Sequence, residues 1–95
     1  YICEAAIDAA SLLVLHRYAG ITEPAAYISI GGAANQQTIN RIRTKIRTVL
    51  AVDNDEAGQK CRDRNPDLDV IIPACKDWND ELQQKTALEE RVSFQ

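Results

Sequence analysis

Two aspartates follow an apolar stretch in the segment "VLAVDNDEAG", residues 49–58. Asp53 and Asp55 are two residues apart, and side chains at this spacing on an extended chain point to the same side. Neighbouring carboxylates repel one another, and their removal from water is unfavourable unless a cation compensates. Mg²⁺ takes one or two carboxylates together with phosphate oxygens of a substrate. The spacing therefore predicts a divalent-metal site suited to phosphoryl chemistry.

A glutamate at the end of the first apolar run adds a third acid. Glu4 follows residues 1–3, which predict a short strand. Beside the two aspartates it would offer a carboxylate for proton transfer. Two alternatives remain open: Asp55 serves only to cap the next helix, or, more remotely, the aspartates belong to an aspartyl-phosphate phosphatase, which also carries Asp-x-Asp after a strand.

Extended and helical patterns alternate along the chain. Runs of β-branched, aromatic and apolar residues predict strands at residues 1–3, 26–30, 48–52 and 69–74. Helical patterns follow at residues 5–18 before Gly20, from the cap Asn35 through Ile46, at residues 56–64, and from the cap Asp77 to about Lys85. This alternation predicts an α/β fold with a four-stranded parallel sheet and helices on both faces. The polar residues 86–95 show no element of their own.

Residues with chemical potential follow every predicted strand. Parallel sheets bind ligands beyond the carboxyl ends of their strands, where we expect Glu4, the two aspartates and residues 75–77 to gather. Gly31 and Gly32 also fall there, and a tight turn is favoured over a phosphate-binding loop.

Composition narrows the class of protein. The 95 residues, 45% hydrophobic and 26% charged, fit one globular domain. No apolar run approaches the ~20 residues that span a bilayer, so we expect a cytoplasmic protein without a membrane partner. The three cysteines, Cys3, Cys61 and Cys75, lack metal-binding or redox spacing and are predicted to be reduced structural thiols. Because the chain begins without Met inside a predicted strand, we expect further domains in a longer parent chain.

Positive charge is concentrated in the predicted second helix. Four residues, Arg41, Arg43, Lys45 and Arg47, are predicted to follow a nucleic-acid backbone, with a solvated helix surface as an equal alternative. The net charge of −3 argues against an indiscriminate nucleic-acid binder. For Trp78, packing is favoured over stacking on a base, and for His16 a structural role is favoured.

Four ordered motifs resemble the TOPRIM domain of bacterial primases, topoisomerases and certain nucleases: "CEAAID", "ISIGGA", "LAVDNDEAG" and "IIPACKDWNDEL". The resemblance covers about residues 1–85 and implies a Rossmann-like TOPRIM fold. It implies that Glu4 acts as general acid or base in making or breaking a phosphodiester bond. It also implies that Asp53 and Asp55 hold Mg²⁺, with Mn²⁺ as the alternative. Ala5 stands where most relatives carry Gly.

Further features resemble the primase-like branch of this family. Asp8 lies one helical turn after Glu4, and Asp77 lies in an acidic loop after the fourth predicted strand; the resemblance implies that both are additional metal ligands. The run "KDWND" is similar to TOPRIM segments in replication and transfer proteins of plasmids and conjugative elements. These features imply nucleotidyl transfer on DNA, with RNA as an alternative. A TOPRIM nuclease and a non-catalytic module that binds metal, nucleic acid or protein remain alternatives.

Overall fold

Strands and helices alternate along the whole of the described chain. The computed structural model describes residues 1–93 and contains four strands and four helices within them. In chain order they are β1 (Ile2–Cys3), α1 (Ala6–Tyr18), β2 (Ile28–Ser29), α2 (Gln36–Arg43), β3 (Val49–Leu50), α3 (Glu56–Arg64), β4 (Asp69–Val70) and α4 (Trp78–Ser93). Every helix predicted from the sequence is present, and each predicted strand contains an observed one.

The strands form one parallel sheet in the order β2-β1-β3-β4. Ile2 in β1 is aligned with Ile28 on one side and with Leu50 on the other, and Leu50 is aligned with Val70. Because all four strands run in the same direction, the loops that follow them lie at one end, which we call the carboxyl end of the sheet. The prediction of an α/β fold with a four-stranded parallel sheet is confirmed.

Helices cover both faces of the sheet, because successive side chains of a strand point to opposite faces. On one face the buried apolar residues include contributions from α2 and α3: Ile2, Ile30, Ala33, Ile39, Leu50, Val52 and Cys61. On the other face they include contributions from α1 and α4: Cys3, Ala9, Leu12, Ala51 and Trp78. The central strands β1 and β3 are therefore largely buried on both sides, as their continuously apolar sequences require, whereas the edge strand β4 is exposed.

Two helix ends differ from the sequence prediction. Helix α2 ends at Arg43 rather than after Ile46; Thr44 follows as its C-cap, and the Thr44 hydroxyl donates a hydrogen bond of 2.8 Å to the Arg41 carbonyl. Ile46 is consequently 56% exposed and does not extend the predicted apolar stripe. Helix α4 continues past Lys85 to Ser93, and a Lys85–Glu89 ion pair of 3.5 Å joins successive turns there. Of the predicted tail, residues 94–95 lie outside the described residues, and a domain boundary at residue 85 stays a prediction.

Local backbone geometry explains two of the loops at the carboxyl end. Ala5, which precedes α1, has φ −123° and ψ 154°, an extended conformation open to any residue, so alanine is accommodated in place of the glycine of most relatives. Gly31 and Gly32 have φ values of 76° and 144°, which side chains with a Cβ rarely adopt. This geometry agrees with the tight turn favoured from the sequence.

Within residues 1–93, no helix has the length and apolar composition needed to cross a lipid bilayer.

Candidate metal centre at the carboxyl end of the sheet

Three carboxylates from separate loops and helices converge at the carboxyl end of the sheet. Asp8 lies in the first turn of α1, Asp53 follows β3, and Asp77 directly precedes α4. One carboxylate oxygen from each lies within 4.8 Å of the others. Asp8 is only 4% exposed, and the other two are half-buried. We call Asp8, Asp53 and Asp77 the carboxylate cluster.

The side chain of Asp53 has an unusual environment within this cluster. Its Oδ1 atom is buried and has no hydrogen-bond partner among the described residues. Burial, followed by the negative charges of Glu4 and Asp8, raises the pKa of Asp53 from its usual 3.8 to about 7. A buried carboxylate oxygen without a donor is rare in folded proteins and calls for a compensating partner. The unpaired oxygen and the all-oxygen donor set both fit a hard divalent cation such as Mg²⁺.

Two residues of helix α3, Gly58 and Arg62, contact the main-chain carbonyl of Asp53 and fix its position. Arg62 is 9% exposed and donates a hydrogen bond of 3.0 Å from Nη1 to the Asp53 carbonyl. A Cβ added to Gly58 would lie 1.9 Å from that same carbonyl oxygen, so only glycine permits this close approach. The sequence analysis singled out neither residue for this role. A glycine in the first turn of a helix, where it is a poor helix former, is the signal that could have indicated the contact.

Glu4 lies beside the cluster. Its Oε1 accepts a hydrogen bond of 3.2 Å from the main-chain N–H of Asp53. Burial raises the pKa of Glu4, the N–H bond offsets part of that rise, and the negative charge of Asp55 adds to it. A carboxyl group with a raised pKa next to possible metal ligands is suited to carrying a proton during catalysis.

Asp55 has a structural task at this site. Its Oδ1 accepts a hydrogen bond of 2.8 Å from the Gly58 N–H and thereby caps α3. Asp55 is not part of the three-residue cluster, and its carboxylate is near enough to raise the pKa of Asp53. Capping, the alternative left open by the sequence, therefore occurs, and a role for Asp55 in holding metal stays a prediction.

Hydrogen bonds to the main chain position the other two members of the cluster. The N–H of Asn79 donates to Asp8 Oδ1 at 3.2 Å, which joins the starts of α1 and α4. Asp77 Oδ1 accepts from the Asp80 N–H at 2.8 Å and so caps α4. Burial raises the pKa of Asp8, and the charges of Asp77 and Asp80 raise it further. The cluster is thus held by helix starts, which supply N–H donors.

A direct connection between two loops sets the position of Asp77 relative to Asp53. The N–H of Asn54 donates to the Lys76 carbonyl at 2.7 Å, and the Asn54 side chain donates to the Pro73 carbonyl at 3.2 Å. Trp78 is 6% exposed, and its indole N–H donates to the Ala51 carbonyl at 2.7 Å. The prediction that this tryptophan packs against the sheet is confirmed.

The basic stretch predicted to contact nucleic acid lies away from the cluster. Arg43 pairs with Asp67, and Arg47 pairs with Asp69 at 3.3 Å. Asp69 begins β4, so these pairs lie at the amino end of the sheet. Arg41 and Lys45 are exposed beside them. A nucleic-acid role for these four residues stays a prediction, and the fold does not bring them to the carboxylates.

Other candidate residues are structural. His16 is buried, its Nδ1 is hydrogen-bonded to the Tyr27 hydroxyl at 2.6 Å, and its ring packs edge-on against the stacked rings of Tyr1 and Tyr27. All three cysteines are free, and burial raises the pKa of the Cys3 thiol to about 12. Both observations agree with the structural roles expected from the sequence.

Comparison with known proteins identifies one similarity. The family model described as Toprim-like matches residues 1–82. That range includes Glu4, all three residues of the carboxylate cluster, and the loops that join them. Among curated proteins and among solved structures, no significant match to this chain is found.

Proposed function

Because this chain belongs to the Toprim-like family, whose domains carry out metal-dependent chemistry on nucleic acids, we propose that it catalyses Mg²⁺-dependent phosphodiester chemistry. The proposed substrate is DNA, with RNA as the alternative. One observation carries the proposal: three carboxylate oxygens within 4.8 Å of one another, which belong to Asp8, Asp53 and Asp77. Like charges at this separation are unfavourable without a cation, so the arrangement supports a metal centre.

The carboxylate cluster would hold Mg²⁺, or Mn²⁺ in its place. Asp53 supplies the unpaired buried Oδ1 atom, and Asp8 and Asp77 supply the neighbouring oxygens. The bound ion would neutralise charge that develops at the phosphorus and orient the attacking oxygen. Arg62 and Gly58 keep the Asp53 carbonyl against α3, and this fixes the backbone from which the Asp53 carboxylate extends.

Glu4 would move the proton. Its hydrogen bond to the Asp53 N–H holds the carboxylate at the border of the cluster. The pKa of Glu4 is raised, chiefly by burial, so the protonated form persists to higher pH than in a free glutamate. Glu4 would accept a proton from the attacking hydroxyl group or water at its free carboxylate oxygen and return it to the leaving oxygen.

The finer proposal is nucleotidyl transfer within a primase-like replication or mobile-element protein. The convergence of Asp8 and Asp77 with Asp53 supports it, because the primase-like resemblance implied that these two aspartates assist the metal. A Toprim-like nuclease would use the same side chains with water as the nucleophile. A module without activity would retain metal or nucleic-acid binding alone.

Labelled single-stranded DNA and RNA, incubated with the protein, Mg²⁺ and nucleotides, separate these functions. Extension of the strand indicates nucleotidyl transfer, cutting indicates a nuclease, and neither indicates a binding module. Asp53→Asn is the matched control, because it removes one charge and keeps the shape of the side chain. Activity that survives both this substitution and a chelator would contradict the proposed function.

A further inference from the structure

A shallow groove of about 420 Å³ adjoins the carboxylate cluster on the α3 side. Five residues line it: Asp55, Glu56, Ala57, Lys60 and Lys76. Its two lysines distinguish it from the cluster, which is entirely acidic. Two acids share the lining with the lysines: Asp55 caps α3 through the Gly58 N–H, and Glu56 pairs with Lys60. The lysines make the groove a candidate for binding an anionic part of the substrate.

The groove and the cluster are built from the same two loops. Lys76 directly precedes Asp77, and Asp55 follows Asp53 by two residues. The hydrogen bond of 2.7 Å from the Asn54 N–H to the Lys76 carbonyl ties these loops together. The backbone that positions Lys76 is therefore fixed relative to the carboxylates.

Both lysines are available to an incoming anion. The ammonium group of Lys76 forms no salt bridge within residues 1–93. Lys60 pairs with Glu56 at 3.4 Å, and their side chains are 67% and 86% exposed. Exposed pairs of this kind are weak, so Lys60 can exchange Glu56 for a stronger anion. Glu56 can then turn into solvent.

The basic residues at the other end of the sheet are poorly placed for this task. The chain between Arg47 and Asp53, which contains β3, spans roughly 20 Å at ~3.3 Å per residue. Arg43 is paired with Asp67 and is 28% exposed, whereas the pair of Arg47 with Asp69 is as exposed as that of Lys60; the distance from the cluster is therefore what disfavours this stretch. A phosphodiester held by them would lie at the amino end, whereas Lys76 directly precedes Asp77 of the cluster and Lys60 lines the same groove as Lys76.

We propose that the groove is a phosphate-binding subsite, in which Lys60 and Lys76 hold a phosphate group next to the one that reacts. The inference rests on the proposed function. It adds that the substrate extends from the carboxylate cluster over the start of α3 and the loop before α4. The phosphate belongs either to the nucleic-acid strand or to an incoming nucleotide. Both present the same chemistry to the lysines.

The test is a binding titration in Mg²⁺ at low salt, followed by NMR shifts of the labelled protein. A single-stranded oligodeoxynucleotide and a nucleoside triphosphate are titrated separately. The double variant Lys60→Ala/Lys76→Ala removes the subsite charges, and Lys85→Ala/Arg91→Ala removes the same charge from the far part of α4. We expect the first variant alone to weaken binding, by about fivefold for each lysine, the upper end for exposed ion pairs.

Salt dependence provides a second readout. Affinity for a single strand falls as salt rises, so the slope of log affinity against log salt is negative. Each lost contact to a phosphate should make this slope less steep by about 0.7. Weakening with the oligonucleotide alone assigns the subsite to the strand, and weakening with the triphosphate alone assigns it to the nucleotide. Either result supports the subsite.

Two results would overturn it in distinguishable ways. If Lys60→Ala/Lys76→Ala binds both ligands as the wild type does, or if only Arg41→Ala/Lys45→Ala weakens binding, the subsite is wrong and the metal centre stands. If the wild type binds neither ligand, the subsite is wrong together with the nucleic-acid part of the proposed function. Circular dichroism verifies that each variant is folded.

Discussion

Glu4 Oε1 lies 3.2 Å from the main-chain nitrogen of Asp53 and accepts its hydrogen bond across the neighbouring strands β1 and β3. The proposed proton carrier and the central residue of the carboxylate cluster are thus directly connected. The bond uses the backbone of Asp53, and the two side chains are also near enough for each to affect the pKa of the other. Proton transfer and metal binding can be separated experimentally.

Replacing Glu4 by glutamine makes that separation. Glutamine keeps an oxygen that accepts the Asp53 N–H bond, and it removes the group that carries the proton. We expect Glu4→Gln to fold and to bind Mg²⁺ nearly as the wild type does, while the phosphodiester reaction slows by about 10²–10⁴-fold. Reaction rate and Mg²⁺ affinity are measured on the same samples. An unchanged rate would show that Glu4 does not transfer the proton.

The stability of the metal-free protein should depend on pH through Asp53. Its pKa is raised from 3.8 to about 7, chiefly by burial. An acid with a raised pKa contributes stability that is full below its unfolded pKa and is lost as the pH rises through its folded pKa. In a chelator we therefore expect Tm to fall between about pH 4 and about pH 7, and to fall less in Asp53→Asn.

Mg²⁺ should reverse this trend, because it binds the ionised carboxylates. The increase in Tm on addition of Mg²⁺ is expected to be larger at about pH 8 than at about pH 5. Burial lowers the pKa of His16, so this residue makes the folded protein more stable as the pH rises. The contribution of His16 is the same in the wild type and in Asp53→Asn, so it does not affect their comparison. Identical pH profiles for wild type and Asp53→Asn would contradict the raised pKa.

Gly58→Ala should act against the usual trend for helices. Replacing a glycine in a helix by alanine normally stabilises a protein by roughly 0.5–1 kcal/mol. Here the new Cβ would lie 1.9 Å from the Asp53 carbonyl oxygen, so the loop must move, at a cost of about 1–3 kcal/mol. We expect a lower free energy of unfolding in urea and weaker Mg²⁺ binding. A variant as stable as the wild type would show that the close approach is not needed.

The sheet and its order of elements could be predicted because each strand is a compact apolar run that a helical pattern follows. The carboxyl ends of parallel strands meet, so the position of Asp53 near other acids followed from topology. Topology also placed Asp77 there, because it follows the fourth predicted strand, whereas only the family resemblance placed Asp8 at the site. Their convergence depends on how α1 and α4 start.

The remaining features depend on contacts that no local pattern encodes. Burial of Arg62 beneath Asp53 cannot be read from a charged helix sequence, since arginines there are usually exposed. The end of α2 at Arg43 is not marked by a glycine or a proline, and the length of α4 is supported by the Lys85–Glu89 ion pair on its own surface. The cap that Asp55 forms with the Gly58 N–H, in contrast, was one of the alternatives that the sequence offered.

The most direct test of the account is an Mg²⁺ titration of the isotopically labelled protein, followed by NMR shifts. We predict specific, saturable shifts at Asp8, Asp53 and Asp77 in the wild type and their loss in Asp53→Asn, whose spectrum otherwise remains that of a folded protein. Diffuse shifts that do not saturate, or equal saturable shifts in Asp53→Asn, would contradict a metal centre at the carboxylate cluster.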